Sequence, residues 1–255
     1  MVVVVLDARD PVGTRPARVE RFTRRFGRAK SLLLVLNKAD LVPKAAVDGW
    51  VRHIAAEGVP VVPFSGKKRW GFRRLLGWIQ RTAPRVPSGA KVLLVGYPNT
   101  GKSTIVNVLV RGQKRVGVSS RAGHTRGVQL VRLPGVRKLY LVDSPGIVPL
   151  ERGLDDVELA LRSGMAPEKV GDPLAVVEEV VRRAKDGVVE AYGVEFEGVD
   201  ALLEAVGRKL GRLRRGGQVD RHDVCLQVIR DWQAGKIAHH LEPPPEAPEG
   251  TRDLA

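Results

Sequence analysis

The sequence predicts an α/β protein, a mainly parallel sheet with helices on both faces, followed by a small all-helical region. Three observations carry this. Short β-branched or apolar runs alternate with amphipathic stretches through the first 145 residues. Several of those runs are apolar throughout, as strands covered by helices on both sides must be. After Pro149 the strong strand runs stop and helical periods take over.

The elements follow in order. VVVVL at 2–6 and LLLVL at 32–36 are continuous apolar strands, with a helix over 16–29 between them. Residues 44–57 form a helix opening just after Pro43, and 59–64 a further strand. A helix over 69–82 then runs into TAPRVPSGA (82–90), a Pro/Gly/Ser break that reads as an internal joint. Strand 92–95 leads to a helix over 102–111, and strands 128–133 and 139–142 complete the α/β part. Beyond it, 172–186, 200–215 and 219–234 are helical by period, with Gly216-Gly217 between the last two. The tail 241–255, with PPPEAPEG, is expected to be disordered. The implied organisation is a first domain over 1–150, a connecting segment over 151–199 and a helical domain over 200–240.

Bulk properties narrow the class. MVVVVLD has about five apolar residues before its Asp, too few to span a bilayer. A single cysteine, Cys225, excludes a disulfide framework or a multi-thiolate zinc site and fits a cytoplasmic protein. Formal net charge is +15, unevenly spread. Residues 1–150 carry 28 basic and 7 acidic side chains, 151–200 carry 6 and 13, and 201–255 carry 9 and 8. Such a basic surface is the footprint of a polyanionic partner, although composition alone describes a heavily solvated surface equally well.

The chemistry sits in four short motifs. GYPNTGKS (96–103) fits G-x-x-x-x-G-K-[ST] after a strand and before a helix, the setting in which backbone N–H groups curl around a phosphate. Within it and just beyond lie Asn99, Thr100, Gly101, Lys102, Ser103 and Thr104. Lys102 is placed to reach the outer phosphates and Ser103 to ligate Mg²⁺. DSPG (143–146) ends a strand; its Asp143 suits the Mg²⁺ shell and the Gly146 N–H a γ-phosphate. The segment 119–127 between them offers Thr125 as a second hydroxyl ligand, with Ser119 and Ser120 as competitors. NKAD (37–40) supplies Asp40, whose carboxylate accepts from both N1–H and the exocyclic amine of guanine. Asn37 can bridge to the base or a neighbouring loop, and the Lys38 stem lies over the purine face. FSGKK (64–68) adds Ser65, Gly66 and Lys67, whose backbone faces the guanine carbonyl. All four motifs close strands at the edge where open α/β sheets bind ligands. GTP or GDP with Mg²⁺ is the expected ligand, and NKAD argues against ATP.

In the usual order of such motifs the phosphate loop comes first and the base reader last; here the base reader comes first. Termini of folded domains often lie close together, so a linker can join them while new ends open elsewhere. Joining at 82–90 and opening before strand 2–6 gives a circularly permuted P-loop GTPase domain.

On these motifs, with DARDPVGTR (7–15) and RRGGQVDRHDVCLQVIRDWQAGKI (214–237), the chain resembles the circularly permuted ribosome-assembly GTPases of the YlqF/RbgA and YawG/nucleolar group. Members carry a further segment ahead of the DAR strand, at which this sequence opens. The resemblance implies GTP hydrolysis in large ribosomal subunit assembly, with the pre-ribosomal particle and ribosomal RNA as partners. No membrane or DNA partner is expected, and the protein is expected to be a monomer. The residue after Gly146 is Ile147, where ordinary GTPases hold a water-orienting Gln, so slow turnover stimulated by the subunit is implied. Asn99 resembles the residue with which potassium-dependent GTPases hold K⁺ against the phosphates. The catalytic set is therefore Lys102, Asn99 and Gly146. The alternative is an RNA-binding assembly factor in which GTP is structural and hardly turns over.

Overall fold

The computed structural model describes residues 1–25, 32–83, 89–111, 129–133, 139–143 and 154–245. The α/β part holds strands β1 (Val2–Asp7), β2 (Leu32–Asn37), β3 (Val61–Pro63), β4 (Ala90–Val95), β5 (Gln129–Arg132) and β6 (Leu139–Asp143). Its helices are α1 (Ala17–Arg25), α2 (Lys44–Ala56), α3 (Phe72–Thr82) and α4 (Lys102–Arg111). The sheet order is β3-β2-β1-β4-β6-β5, parallel except for β5 against β6.

The apolar runs explain the layering. In β1, Val3 and Val5 face one core with Leu33, Val35, Leu75, Ile79, Ile105 and Leu109, the α3 and α4 side. Val4 and Leu6 face the other, with Leu34, Leu36, Val47, Trp50 and Ile54, the α2 side. Strand alternation across a doubly covered sheet requires both sets to be apolar. The chain runs outward from β1 through β2 to β3, then returns to place β4 on the other side of β1. That reversal is the switch point at whose carboxyl edge such sheets open a crevice. Of the joint at 82–90, residues 84–88 lie outside the described residues.

The chain divides into two compact units, the second made of 96–100 and the helical region as far as His239. Its helices are α5 (Asp156–Leu161), α6 (Pro173–Tyr192), α7 (Gly198–Lys209) and α8 (Arg221–Ala234). They share one core, including Leu161, Val176, Val188, Leu203, Val228 and Trp232. The side chains of Asp155, Asp172 and Asp220 cap α5, α6 and α8 by accepting first-turn N–H groups. Here the structure departs from the expected connecting segment over 151–199. Residues 156–161 and 173–192 are helices of the same core as α7 and α8, because their apolar faces have that core to fill.

A second departure concerns the tail. Residues 240–245 belong with the α/β unit rather than hanging free. The Leu241 N–H donates to the Arg9 carbonyl at 2.9 Å, and Trp50 Nε1 donates to the Leu241 carbonyl at 2.8 Å. The Pro243 ring occupies the space beside Gly49, where any Cβ would meet it at 2.5 Å. One backbone bond, one indole bond and a ring contact outweigh the low-complexity composition of this stretch. Residues 246–255 lie outside the described residues. No helix among the described residues is long and apolar enough to cross a membrane.

Candidate guanine-nucleotide site

The carboxyl ends of β2 and β3 carry the two base-reading loops, and their side chains tie the loops together. Asn37 Oδ1 accepts from the Gly66 N–H at 3.2 Å, and Ser65 Oγ donates to Asp40 Oδ1 at 2.6 Å. The Ala39 N–H donates to the Phe64 carbonyl at 3.1 Å, and Ser65 Oγ also accepts from the Lys68 N–H at 3.0 Å. Asn37 and Ser65 are buried, while Asp40 and Lys67 are exposed at the rim. Asn37, read as bridging to the base or to a neighbouring loop, takes the second role. The Asp40 carboxylate is thus held from one side by Ser65 and presented on the other.

The same Asn37 meets the phosphate loop. A Cβ at Gly101 would lie 2.2 Å from Asn37 Nδ2, and Gly101 has φ +96°, so only glycine fits. Next along the chain, Lys102 is buried at the start of α4, Ser103 is half-buried and Thr104 exposed. A Cβ at Gly66 would come within 2.6 Å of Thr104 Cγ2. The bare glycine therefore leaves room for a threonine methyl.

Residues 96–100 are described with the helical unit. Thr100 is buried with its hydroxyl donating to the Tyr97 carbonyl at 2.9 Å. Asn99 takes a left-handed backbone, φ 58°, and its Nδ2 donates to the Ser163 carbonyl at 3.2 Å. That bond engages the amide nitrogen and leaves Oδ1, the atom a cation needs, without a partner among the described residues.

Mg²⁺ takes hard oxygen donors, and the donor set tests whether this chain suits it. Ser103 sits at the second position of α4, and Asp143 ends β6 in register with Leu94 of β4, the strand that feeds the phosphate loop. A hydroxyl and a carboxylate are donor types that this ion takes. The side chain of Asp143, and Thr125 and Gly146 altogether, lie outside the described residues.

One part of the site was missed by reading motifs singly. Asp7, at the end of β1, is in register with Asn37 at the end of β2. Its carboxylate accepts from Arg9 Nη2 at 2.7 Å and pairs with Lys38 Nζ at 2.8 Å. Burial by itself raises the Asp7 carboxyl, yet the Arg9 and Lys38 cations outweigh it and hold the group well below the usual carboxylate range. Burial lowers the Lys38 ammonium from its ordinary value, with Asp7 opposing. Lys38 itself sits at φ 62°. The Asp-Ala-Arg stretch thus fixes the Lys38 ammonium. Two aligned strands ending in Asp and Asn-Lys were the signal that this pairing gives.

A base reader and a phosphate loop meeting across Asn37 and Gly101, on a parallel sheet whose strands occur in rotated order, define a circularly permuted GTPase. The model of the RsgA GTPase family matches residues 1–152, and that of the 50S ribosome-binding GTPase family matches 91–241. The chain is 36% identical over 95% of its length to nucleolar GTP-binding protein 2 of Schizosaccharomyces pombe, covering 46% of that protein. It is 34% identical over 96% of its length to the guanine nucleotide-binding protein-like NSN1 of Arabidopsis thaliana, again covering 46%. It thus spans about half the length of these curated relatives. Among solved structures, GNP-bound YlqF from T. maritima matches with TM-score 0.64 and 26% identity, over 95% of this chain and 92% of that one. The chain belongs to the circularly permuted GTPase family that includes YlqF and the nucleolar GTP-binding proteins.

Proposed function

We propose that the chain binds and slowly hydrolyses GTP while acting in large ribosomal subunit assembly, engaging the pre-ribosomal particle and its RNA according to nucleotide state. The observation that carries this is the knot of Asn37, Asp40, Ser65, Gly66 and Gly101, in which guanine-reading groups are fixed to the turn of the phosphate loop.

Asp40 takes guanine's two donors, the Lys38 stem lies over the ring, and the Ser65, Gly66 and Lys67 backbone meets the carbonyl. Asn99, Thr100, Gly101, Lys102, Ser103 and Thr104 cradle the phosphates, and the Gly146 N–H meets the γ-phosphate. Ser103, Thr125 and Asp143 hold Mg²⁺, and Asn99 Oδ1 holds K⁺; bound there, the cations supply positive charge to the phosphate oxygens. Lys102 adds its own charge as the β–γ bond lengthens. Ile147 cannot orient the attacking water, so turnover stays slow until a group from the particle does so.

The base contact is tested by Asp40→Asn. A site built on buried polar pairing rejects the mismatched base by up to ~10⁴-fold, so the variant should lose GTP and take xanthosine triphosphate. Unchanged GTP affinity would sink the assignment. The wider reading is tested by sedimentation with large subunits, which should be tighter with a non-hydrolysable GTP analogue than with GDP by about 1–3 kcal/mol, the usual size of such coupling. Measured turnover with and without subunits separates this reading from a structural role for GTP.

A further inference from the structure

From Gly58 to Val142 the chain carries 17 lysines and arginines and not one aspartate or glutamate. Five of these cations crowd one short stretch beside the base-reading loop: Lys67, Lys68, Arg69, Arg73 and Arg74, all exposed. None of the five pairs with a carboxylate among the described residues. In their midst Trp70 leaves 50% of its surface in solvent.

The stretch is rigid. Ser65 and Trp70 exchange two backbone bonds, at 3.0 and 3.1 Å, closing a tight loop over 66–69. Gly71, at φ +83°, presses against the Pro63 carbonyl, which a Cβ would meet at 2.5 Å. The tryptophan ring is therefore carried on a fixed knuckle.

Two features oppose local stability. Arg69 holds φ 54°, a left-handed backbone that glycine or asparagine adopts more easily. Arg73 and Arg74 occupy the first turn of α3, the end at which the helix dipole repels cations. Arginine at these places makes sense when the side chains are wanted outward.

The contrast with the other basic cluster, Arg208, Lys209, Arg212, Arg214 and Arg215, sharpens the choice. There Arg208 pairs with Glu204, Arg212 with Asp223 and Arg214 with Asp220, and Lys209 donates to the Tyr192 carbonyl. That cluster is largely neutralised by its own unit.

We propose that residues 67–74 form a docking site for an unpaired segment of RNA, with one base stacked on Trp70 and the flanking phosphates on Lys68, Arg69, Arg73 and Arg74. Cations interleaved with an exposed aromatic face are what single strands bind, since every base offers a ring to stack and every linkage a charge. The inference rests on the reading of an RNA partner and supplies its place of contact. Because Ser65 Oγ bonds both Asp40 and the Lys68 N–H, the RNA knuckle and the guanine reader share one residue.

The test titrates a fluorescein-labelled, unstructured RNA of about 12 nucleotides, within single-strand site sizes, into the full chain, reading anisotropy and tryptophan emission. Trp50 and Trp232 are buried at 3% and 2% exposure and Trp78 is half-buried, so the quenching that Trp70→Phe loses is the part that reports on Trp70. Trp70→Ala should weaken binding on the order of tenfold, while Trp70→Phe keeps most of it. Replacing Lys68, Arg73 and Arg74 by Gln should reduce the log–log salt slope by about 2. All these variants should bind fluorescent GDP as the parent does, which shows that they fold. Trp70→Ala binding within about twofold of the parent overturns the site, as does an RNA duplex binding as tightly as the single strand. Polyglutamate quenching Trp70 at equal charge also overturns it, since the partner would then be an acidic protein. Sedimentation with large subunits separates the two claims. Parent and Trp70→Ala sedimenting alike removes this surface and leaves the assembly role; a parent that sediments with no subunit removes that role.

Discussion

Replacing Asp7 by Asn should be among the costliest single changes near the nucleotide. The carboxylate lies between Arg9, 4% exposed, and Lys38, whose side chain is 20% exposed. Asparagine keeps an acceptor for one Arg9 N–H but removes the negative charge that faces both Arg9 and Lys38. Removing one partner of a buried pair costs about 3–5 kcal/mol, and the partial exposure of Lys38 places this case near 3. A domain of ordinary stability, about 5–15 kcal/mol, remains folded at that loss, so nucleotide binding can still be measured. With its anchor gone, the Lys38 stem must be ordered by the ligand, which costs about 0.5–1.5 kcal/mol, or roughly 2- to 10-fold in GDP affinity. Urea titration and fluorescent-GDP binding measure the two effects. Adding Arg9→Met to Asp7→Asn removes one of the two cations that faced the carboxylate and should recover part of the stability. The pH profile gives a further readout. The folded carboxyl titrates well below its unfolded value near ~3.9, so its contribution is complete above that pH and drains away as pH falls below about 4. The variant should lose this acid limb. A stability loss under about 1 kcal/mol, or an acid limb unchanged from the parent, refutes the argument.

Two more tests address the phosphate loop. Gly66→Ala forces a Cβ to 2.6 Å from Thr104 Cγ2; threonine on a helix is stiff, and overpacking costs about 1–3 kcal/mol. Thr104→Ser deletes that methyl and should restore both melting temperature and GDP affinity, whereas an equal loss in single and double variants rejects the contact. Hydrolysis should run faster in K⁺ than in Na⁺, and Asn99→Ala should erase the difference; equal parent rates in both salts, with and without subunits, reject a cation on Asn99.

Much of this was legible in the residues. The strands of valine and leucine and the motif at each strand's end place the sheet, its switch point and the loops at its carboxyl edge. What was not legible depends on residues far apart in sequence. Pairing of Asp7 with Lys38 follows from register between strands whose ends read as separate motifs. The Gly66 and Gly101 contacts are set by neighbours 38 and 64 residues away, Thr104 and Asn37. Helices over 156–161 and 173–192 share a core with α8, which local composition after Pro149 cannot announce. The attachment of Leu241 depends on one indole 191 residues earlier, while the surrounding PPPEAPEG argues for disorder. The cluster at 208–215 looks uniformly cationic until its carboxylate partners fold beside it.

The strand order also sets a timetable for synthesis. β1, made first, is central in the sheet, with β2 and β3 added on one side before any of β4, β6 and β5 exists. Asp7, Lys38, Asp40 and Ser65 are all synthesised before Gly96, so their mutual contacts can form before the phosphate loop is translated. The bond from Trp50 to Leu241 spans 191 residues and must await all of them. Long-range closures of this kind are slow. The growing polypeptide therefore joins Asp7 to Lys38 before its phosphate loop is made, and fastens Leu241 after both, onto a helix and a loop synthesised long before.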